Sequence, residues 1–207
     1  MNKQIGFLLL IWLLAVSPAH SKDLVIVVKI SGSINPAVAE YISHEISQAN
    51  ADQEALIVLH MDTPGGLDTS MRQIIKKIQG SQVPVASFVA PSGSRAASAG
   101  TFITIASHIA AMAPGTNIGA AHPVNMMGGG GESEQAKTME HKVVNDAAAY
   151  IRSLAQLRNR NEHWAELAVV KSVSISAEEA MRLNVIDLVA ADVKALVLAV
   201  DGREVQV

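Results

Sequence analysis

Apolar runs along this chain alternate with amphipathic stretches regularly enough to predict strands followed by helices. Leu24 to Ile30 is β-branched and nearly continuous, the composition of a strand covered on both faces, and Ser31-Gly32-Ser33 ends it. Asn35-Pro36 opens a helix with Val38, Tyr41, Ile42, Glu45, Ile46 and Ala49 at close to 3.6-residue spacing along one stripe. Ala55 to Met61 repeats the strand pattern, with Asp62-Thr-Pro-Gly-Gly66 at its carboxyl end. Leu67 to Gln79 predicts a second helix and Val83 to Val89 a third strand, after which comes Pro91-Ser-Gly-Ser-Arg-Ala-Ala-Ser98-Ala-Gly-Thr101. The rhythm predicts an α/β domain. Ligands in such folds gather outside the carboxyl ends of strands, where both glycine- and serine-bearing segments fall.

Beyond residue 111 the pattern shortens. Met112 to Ala121 reads as a turn into a brief strand, and Met126 to Gly131, with four consecutive glycines, as a mobile loop. Helices are expected from about Met139 to Leu157 and Asn161 to Lys171, and Ser176-Ala-Glu-Glu179 is a capping-box start to another. Val185 to Ala190 reads as a returning strand, Val193 to Val200 as a last helical turn or two, and 201–207 as a tail.

Composition narrows the class. At 207 residues and 49% hydrophobic content the chain can bury one full core, residues 22–200 being the expected domain. Aromatic content of 3% provides no stacking platform for bases, and a net charge of -3 without a basic stripe argues against nucleic acid. Residues 1–21 read as a secretory signal or an N-terminal anchor: Lys3 leads a 12-residue apolar run from Ile5 to Val16, followed by small residues at Ser17 to Ser21. That pattern predicts an extracytoplasmic, membrane-associated domain. With no cysteine there is no disulfide framework and no thiolate metal site.

The candidate chemistry is acyl transfer. Ser98 is hemmed by Ala96, Ala97, Ala99 and Gly100, small enough for a substrate backbone to approach, and a following helix would aim free N–H groups at a developing oxyanion. Gly65 and Gly66 could supply a second donor from a turn that only glycine tolerates. Alternatively, Ser98 belongs to a small-residue helix packed on a sheet and merely satisfies a carbonyl. Arg95 reads as a partner in a surface salt bridge or as a clamp on a substrate carbonyl or chain end. His44, His60, His108, His141 and His163 show no metal-ligand spacing, and no metal or cofactor is expected.

Asp62-Thr-Pro-Gly-Gly66, Ser98-Ala-Gly-Thr101, Ala113-Pro-Gly-Thr-Asn-Ile-Gly-Ala120 and Tyr150-Ile-Arg-Ser-Leu-Ala155 together resemble the protease domain of NfeD-type membrane-bound serine proteases, from about Leu24 to Ala191. These are similar to Clp protease subunits and signal peptide peptidase A. The resemblance implies a crotonase-like (Clp protease-like) spiral of β-β-α units and a homo-oligomer. It also implies a serine endopeptidase whose Ser-Lys dyad cuts apolar segments, in some members those of stomatin- or flotillin-like membrane proteins.

Carried onto this chain, the resemblance makes Ser98 the nucleophile and Ala99 its neighbouring oxyanion donor. Gly65 and Gly66 become the oxyanion turn, the first of them preferred. The family lysine, eight residues before the tyrosine, falls at Lys142. A lysine accepts the serine proton only when neutral, so it must lose water; Val143, Val144, Ala147 and Ala148 offer apolar surroundings. On helix geometry alone Lys142 would instead pair with Asp146 one turn later. Lys137 is the next candidate base.

Ala121-His122-Pro123 resembles the site of the Clp protease histidine, making His122 a groove residue or the runner-up base. The orienting aspartate of such a triad falls at Ser172, a departure from both family patterns. Two further readings stay open: a catalytically silent scaffold for stomatin- or flotillin-like partners, and a crotonase-type enzyme acting on acyl-coenzyme A, against which the secretory signal speaks.

Overall fold

The computed structural model describes residues 24–123 and 134–207. The expected signal or anchor at 1–21 and the glycine loop with Met126 and Met127 lie outside the described residues.

Strands β1 (Val25–Ser31), β2 (Leu56–Asp62), β3 (Val85–Val89), β5 (Ile109–Met112) and β8 (Leu188–Val189) form a sheet in the order β1-β2-β3-β5-β8, with every pairing parallel. Their unbroken apolar runs follow from double coverage. On one face Ile57, Leu59, Met61, Val85, Val89 and Met112 join a core with helices α1 (Pro36–Asp52), α2 (Asp68–Gln79), α3 (Ala99–Ala106), α4 (Glu134–Leu157) and α5 (Glu162–Val170). On the other, Leu56, Val58, Ala86, Phe88 and Ala111 form a second core under α7 (Val193–Val200).

A second sheet, in the order β4-β6-β7, is built from β4 (Arg95–Ala97), β6 (Asn117–Gly119) and β7 (Ser174–Ser176). The turn into a brief strand expected within 112–121 is the turn into β6 in the small sheet, and a strand not expected from the sequence, β5 in the large sheet, precedes it. The returning strand is also shorter than expected: Asp187 is diverted, its carboxylate accepting from the Ala110 N–H at 2.7 Å.

Local signals set the helix ends. Asn35 caps α1 by accepting from the Val38 N–H at 3.0 Å, and Pro36 follows where a missing N–H costs nothing. Ser176 and Glu179 form the expected capping box of α6 (Ala177–Arg182). The buried stripe of α1 is Ala39, Ile42, Ser43, Ile46 and Ala49, so Tyr41, expected inward, is exposed instead.

One polar knot joins the helical layer to the sheet. Arg160, after α4, is buried and donates to the carbonyls of Ile105 (2.6 Å) and Ser107 (2.8 Å) and to Asp187 Oδ2 (2.6 Å). Removing the cation leaves those buried carbonyls without their donor and takes the closest charged partner from Asp187, which keeps only the Ala110 N–H and Arg203. Arg160→Met should therefore cost about 3 kcal/mol in urea unfolding.

Beside it, His108 accepts the Val85 N–H on Nδ1 at 3.1 Å. Burial, reinforced by the charges of Arg158 and Arg160, lowers its pKa from 6.5 to about 4. Because the unfolded chain takes up this proton first, stability is full above 6.5, falls as pH drops toward 4 and levels off below. The total loss is up to about 3 kcal/mol. His108→Asn, which keeps an acceptor for Val85 without a proton to bind, should flatten that part of the stability profile.

Candidate active site

Backbone hydrogen bonds bring the glycine turn and the serine segment side by side. Thr63 N–H donates to the Arg95 carbonyl (2.8 Å) and Ala97 N–H to the Thr63 carbonyl (3.1 Å), so the chain leaving β2 runs as a short parallel bridge along β4. Asp62 strengthens the join by accepting the Arg95 N–H at 3.1 Å. The buried Thr63 hydroxyl turns back onto Gly65, accepting its N–H at 3.0 Å. Across the turn, Ile34 N–H donates to the Gly65 carbonyl (2.8 Å) and Leu67 N–H to the Ile34 carbonyl (2.9 Å).

Both glycines are required by close approach. A Cβ on Gly65, whose φ is +111°, would lie 2.5 Å from Ser98 Cβ and 3.0 Å from its Oγ; one on Gly66 would lie 2.1 Å from the Ile34 carbonyl oxygen. The turn and the serine are therefore in direct contact. Gly100 is constrained in the same way, since a Cβ there would meet Thr63 Cγ2 at 2.5 Å.

Ser98 occupies the N-cap position of α3 with φ 52° and ψ -117°, a backbone state that a residue with a side chain enters only under constraint. The constraint comes from both sides: its N–H donates to the Ala120 carbonyl (3.2 Å), and its carbonyl accepts the Thr101 N–H (3.0 Å). The side chain does not cap the helix, and Ser98 is half-exposed. The alternative in which the hydroxyl satisfies a nearby carbonyl finds no such bond among the described residues. Ala99 and Gly100 follow as the first residues of α3, where N–H groups have no partner within the helix.

This sharpens the choice of oxyanion donor. Gly65, expected to be the better of the pair, already gives its N–H to Thr63. The Gly66 N–H has no acceptor among the described residues, and Gly66 is the glycine whose donor is available. Thr63 carried no separate signal in the sequence; only its place inside the Asp62 to Gly66 turn pointed to it.

The candidate bases differ in setting. His122 is half-buried, and Nδ1 lies 2.9 Å from the Val169 carbonyl oxygen, which can only accept; Nδ1 thus carries a proton, and in the neutral ring the lone pair falls on Nε2. With Lys137, Glu140, His141, Val144 and Asn145, His122 lines a cavity of about 340 Å³. Lys142 and Lys137 are exposed on α4. Asp146 does not take up the Lys142 pairing allowed by helix spacing; it accepts instead from Arg72 Nη2 at 2.5 Å. Among the described residues no group of three His, Asp or Glu side chains could hold a metal ion, and no helix is long and apolar enough to cross a membrane.

A serine on a constrained turn at a helix N-terminus, against a diglycine turn at the end of a parallel strand, defines the Clp protease-like, crotonase-like class of α/β domains. Within that class the chain belongs to the NfeD1b N-terminal domain family, whose model matches residues 24–201. It is 38% identical over 193 residues to the membrane-bound protease PH1510 of Pyrococcus horikoshii, covering 92% of this chain and 43% of that protein. The chain thus spans less than half the length of that relative.

Two solved structures share the fold. One is the 1510-N membrane-bound stomatin-specific protease with a serine replaced by alanine (TM-score 0.81, 37% identity, 89% of this chain and 87% of that one). The other is the same protease with a lysine replaced by alanine, in complex with a substrate peptide (TM-score 0.80, 38% identity, 89% and 83%).

Gly65→Ala should force Ser98 aside and strain the turn. The expected outcome is a loss of about 1–3 kcal/mol in thermal or urea unfolding, with Ser33→Ala, an exposed neighbour of the same turn region, as an unperturbed control.

Proposed function

We propose that this chain is an extracytoplasmic serine endopeptidase acting at a membrane on apolar segments of protein substrates, stomatin-like membrane proteins among them. The observation that carries the reading is the constrained Ser98 turn in contact with Gly65. Similarity to a stomatin-specific protease supports the substrate class, and the apolar run at 5–16 supports the compartment.

In this mechanism Ser98 Oγ attacks the scissile carbonyl carbon while its proton passes to the neutral amine of Lys142. The N–H groups of Gly66 and Ala99 hold the oxyanion. Lys142 then protonates the leaving nitrogen as the C–N bond breaks. Water attacks the Ser98 ester, giving a proton to Lys142, and that proton returns to Ser98 as the ester C–O bond breaks. Lys142 is exposed in the single chain. The desolvation that keeps it neutral comes from bound substrate or from a second copy of the chain, the homo-oligomer this reading carries with it.

A second reading takes His122 as the base, and one observation favours it: the Val169 carbonyl fixes the ring with the Nε2 lone pair available. An assay with a fluorogenic apolar peptide separates the two. Under the lysine reading Ser98→Ala and Lys142→Ala each lose about 10³-fold or more in kcat, while His122→Gln retains most activity. The histidine reading reverses the behaviour of Lys142→Ala and His122→Gln. Equal turnover by wild type and all three variants would eliminate the hydrolase reading.

A further inference from the structure

Arg72, on α2, connects the helix that follows the proposed nucleophile with the helix that carries the proposed base. Its Nε donates to Asp68 at 2.9 Å and its Nη2 to Asp146 at 2.5 Å. The guanidinium lies 4.3 Å from the centroid of the Tyr150 ring, which in turn stacks on Phe102 at 6.0 Å between centroids. Phe102 stands one turn into α3 from Ser98, and Asp146 one turn along α4 from Lys142. A continuous line of contacts therefore runs from α3 through Phe102, Tyr150, Arg72 and Asp146 to the turn that bears Lys142.

The arrangement matters because the Lys142 half of α4 is otherwise little packed. Residues 137–143 are all exposed, Val144 is half-buried, and full burial begins at Ala147 and Ala148. It matters also because a carboxylate four residues after a lysine is well placed to hold an ammonium in its charged form. Arg72 engages that carboxylate through Oδ2.

Other ionisable groups on the elements packed against α4 leave this logic intact. From α2 they are Asp68, itself bound to Arg72, Lys76, and Lys77, which donates to Ser47 at 3.1 Å; from α5 they are Glu162, His163 and Glu166, the last paired with Arg152 at 2.7 Å. From the segment after β6 comes His122, sharing its cavity with Lys137, Glu140 and His141. Helix α3 contributes no ionisable side chain, and Tyr150 is held neutral by its burial, which raises its pKa.

We propose that Arg72 is a positioning residue for the base: by binding Asp146 it fixes the Lys142 turn relative to α3 and draws away from Lys142 the carboxylate that stands one helical turn after it. This rests on the Ser98-Lys142 reading. The test is the pH profile of kcat/KM with the fluorogenic apolar peptide, using full chains. Arg72→Gln frees Asp146 to bind Lys142, so activity at pH 7 should fall about tenfold and the acid limb should move about one pH unit upward. Asp146→Asn on that background removes the competing carboxylate and should recover at least half of the shift. Arg72→Lys, which retains a cation for Asp146, should stay within a few-fold of wild type.

A purely structural role predicts a uniform loss at every pH and a double variant no better than the single; either result overturns the proposal. Lys142→Ala in the same assay separates the two levels. Full activity there sinks the dyad and this inference together, whereas an inactive Lys142→Ala with an unshifted Arg72→Gln profile sinks the inference alone.

Discussion

The absence of one methyl group, at Gly65, governs the geometry of this domain's functional end. Two chain segments that leave different strands touch there, with room for a hydrogen but not a carbon between the glycine and Ser98. Nearly every polar contact nearby keeps that approach fixed: the Thr63 to Arg95 and Ala97 bridge, the Asp62 carboxylate on the Arg95 N–H, and the Ile34 bonds on the far side of the turn. Without them the positive-φ backbone of Ser98 would relax, since such a state costs about 1–3 kcal/mol and persists only where the surroundings impose it.

The parallel sheet supplies the rigidity behind this contact. Its strands are buried on both faces, so they cannot shift register without exposing apolar surface, and their carboxyl ends deliver the glycine turn and the serine segment to one edge. The small sheet then holds the segment on the other side of the serine, with Ala120 accepting the Ser98 N–H while its own N–H donates to the Val173 carbonyl at 2.7 Å. Stability and site geometry thus draw on the same hydrogen bonds.

The first three strands of the large sheet were legible because they are β-branched and continuous, and the helices because of caps such as Asn35 and Ser176. Other than Asn117–Gly119 and Leu188–Val189, the short strands were not. Arg95–Ala97 and Ser174–Ser176 have no periodicity to read, and exist as strands only because Asn117–Gly119 lies between them. Ile109–Met112, half of it alanine, reads as broken pattern and becomes a strand through pairing with its neighbours. At the site, residue identity pointed to the serine and the diglycine turn. It did not reveal which glycine N–H is already used, because that depends on the rotamer of Thr63, nor that Asp146 belongs to Arg72, seventy-four residues away in the chain.

Thr63 carries a consequence for redesign. Its hydroxyl holds the turn while its methyl fills the space that Gly100 leaves open, and β-branching restricts the side chain to few rotamers. The separation of the two loops is therefore gauged by a single threonine, and the identities of residues 63 and 100 are coupled by size. A scaffold borrowing this pocket would have to import the pair as a unit, since enlarging one position without trimming the other would push the loops apart.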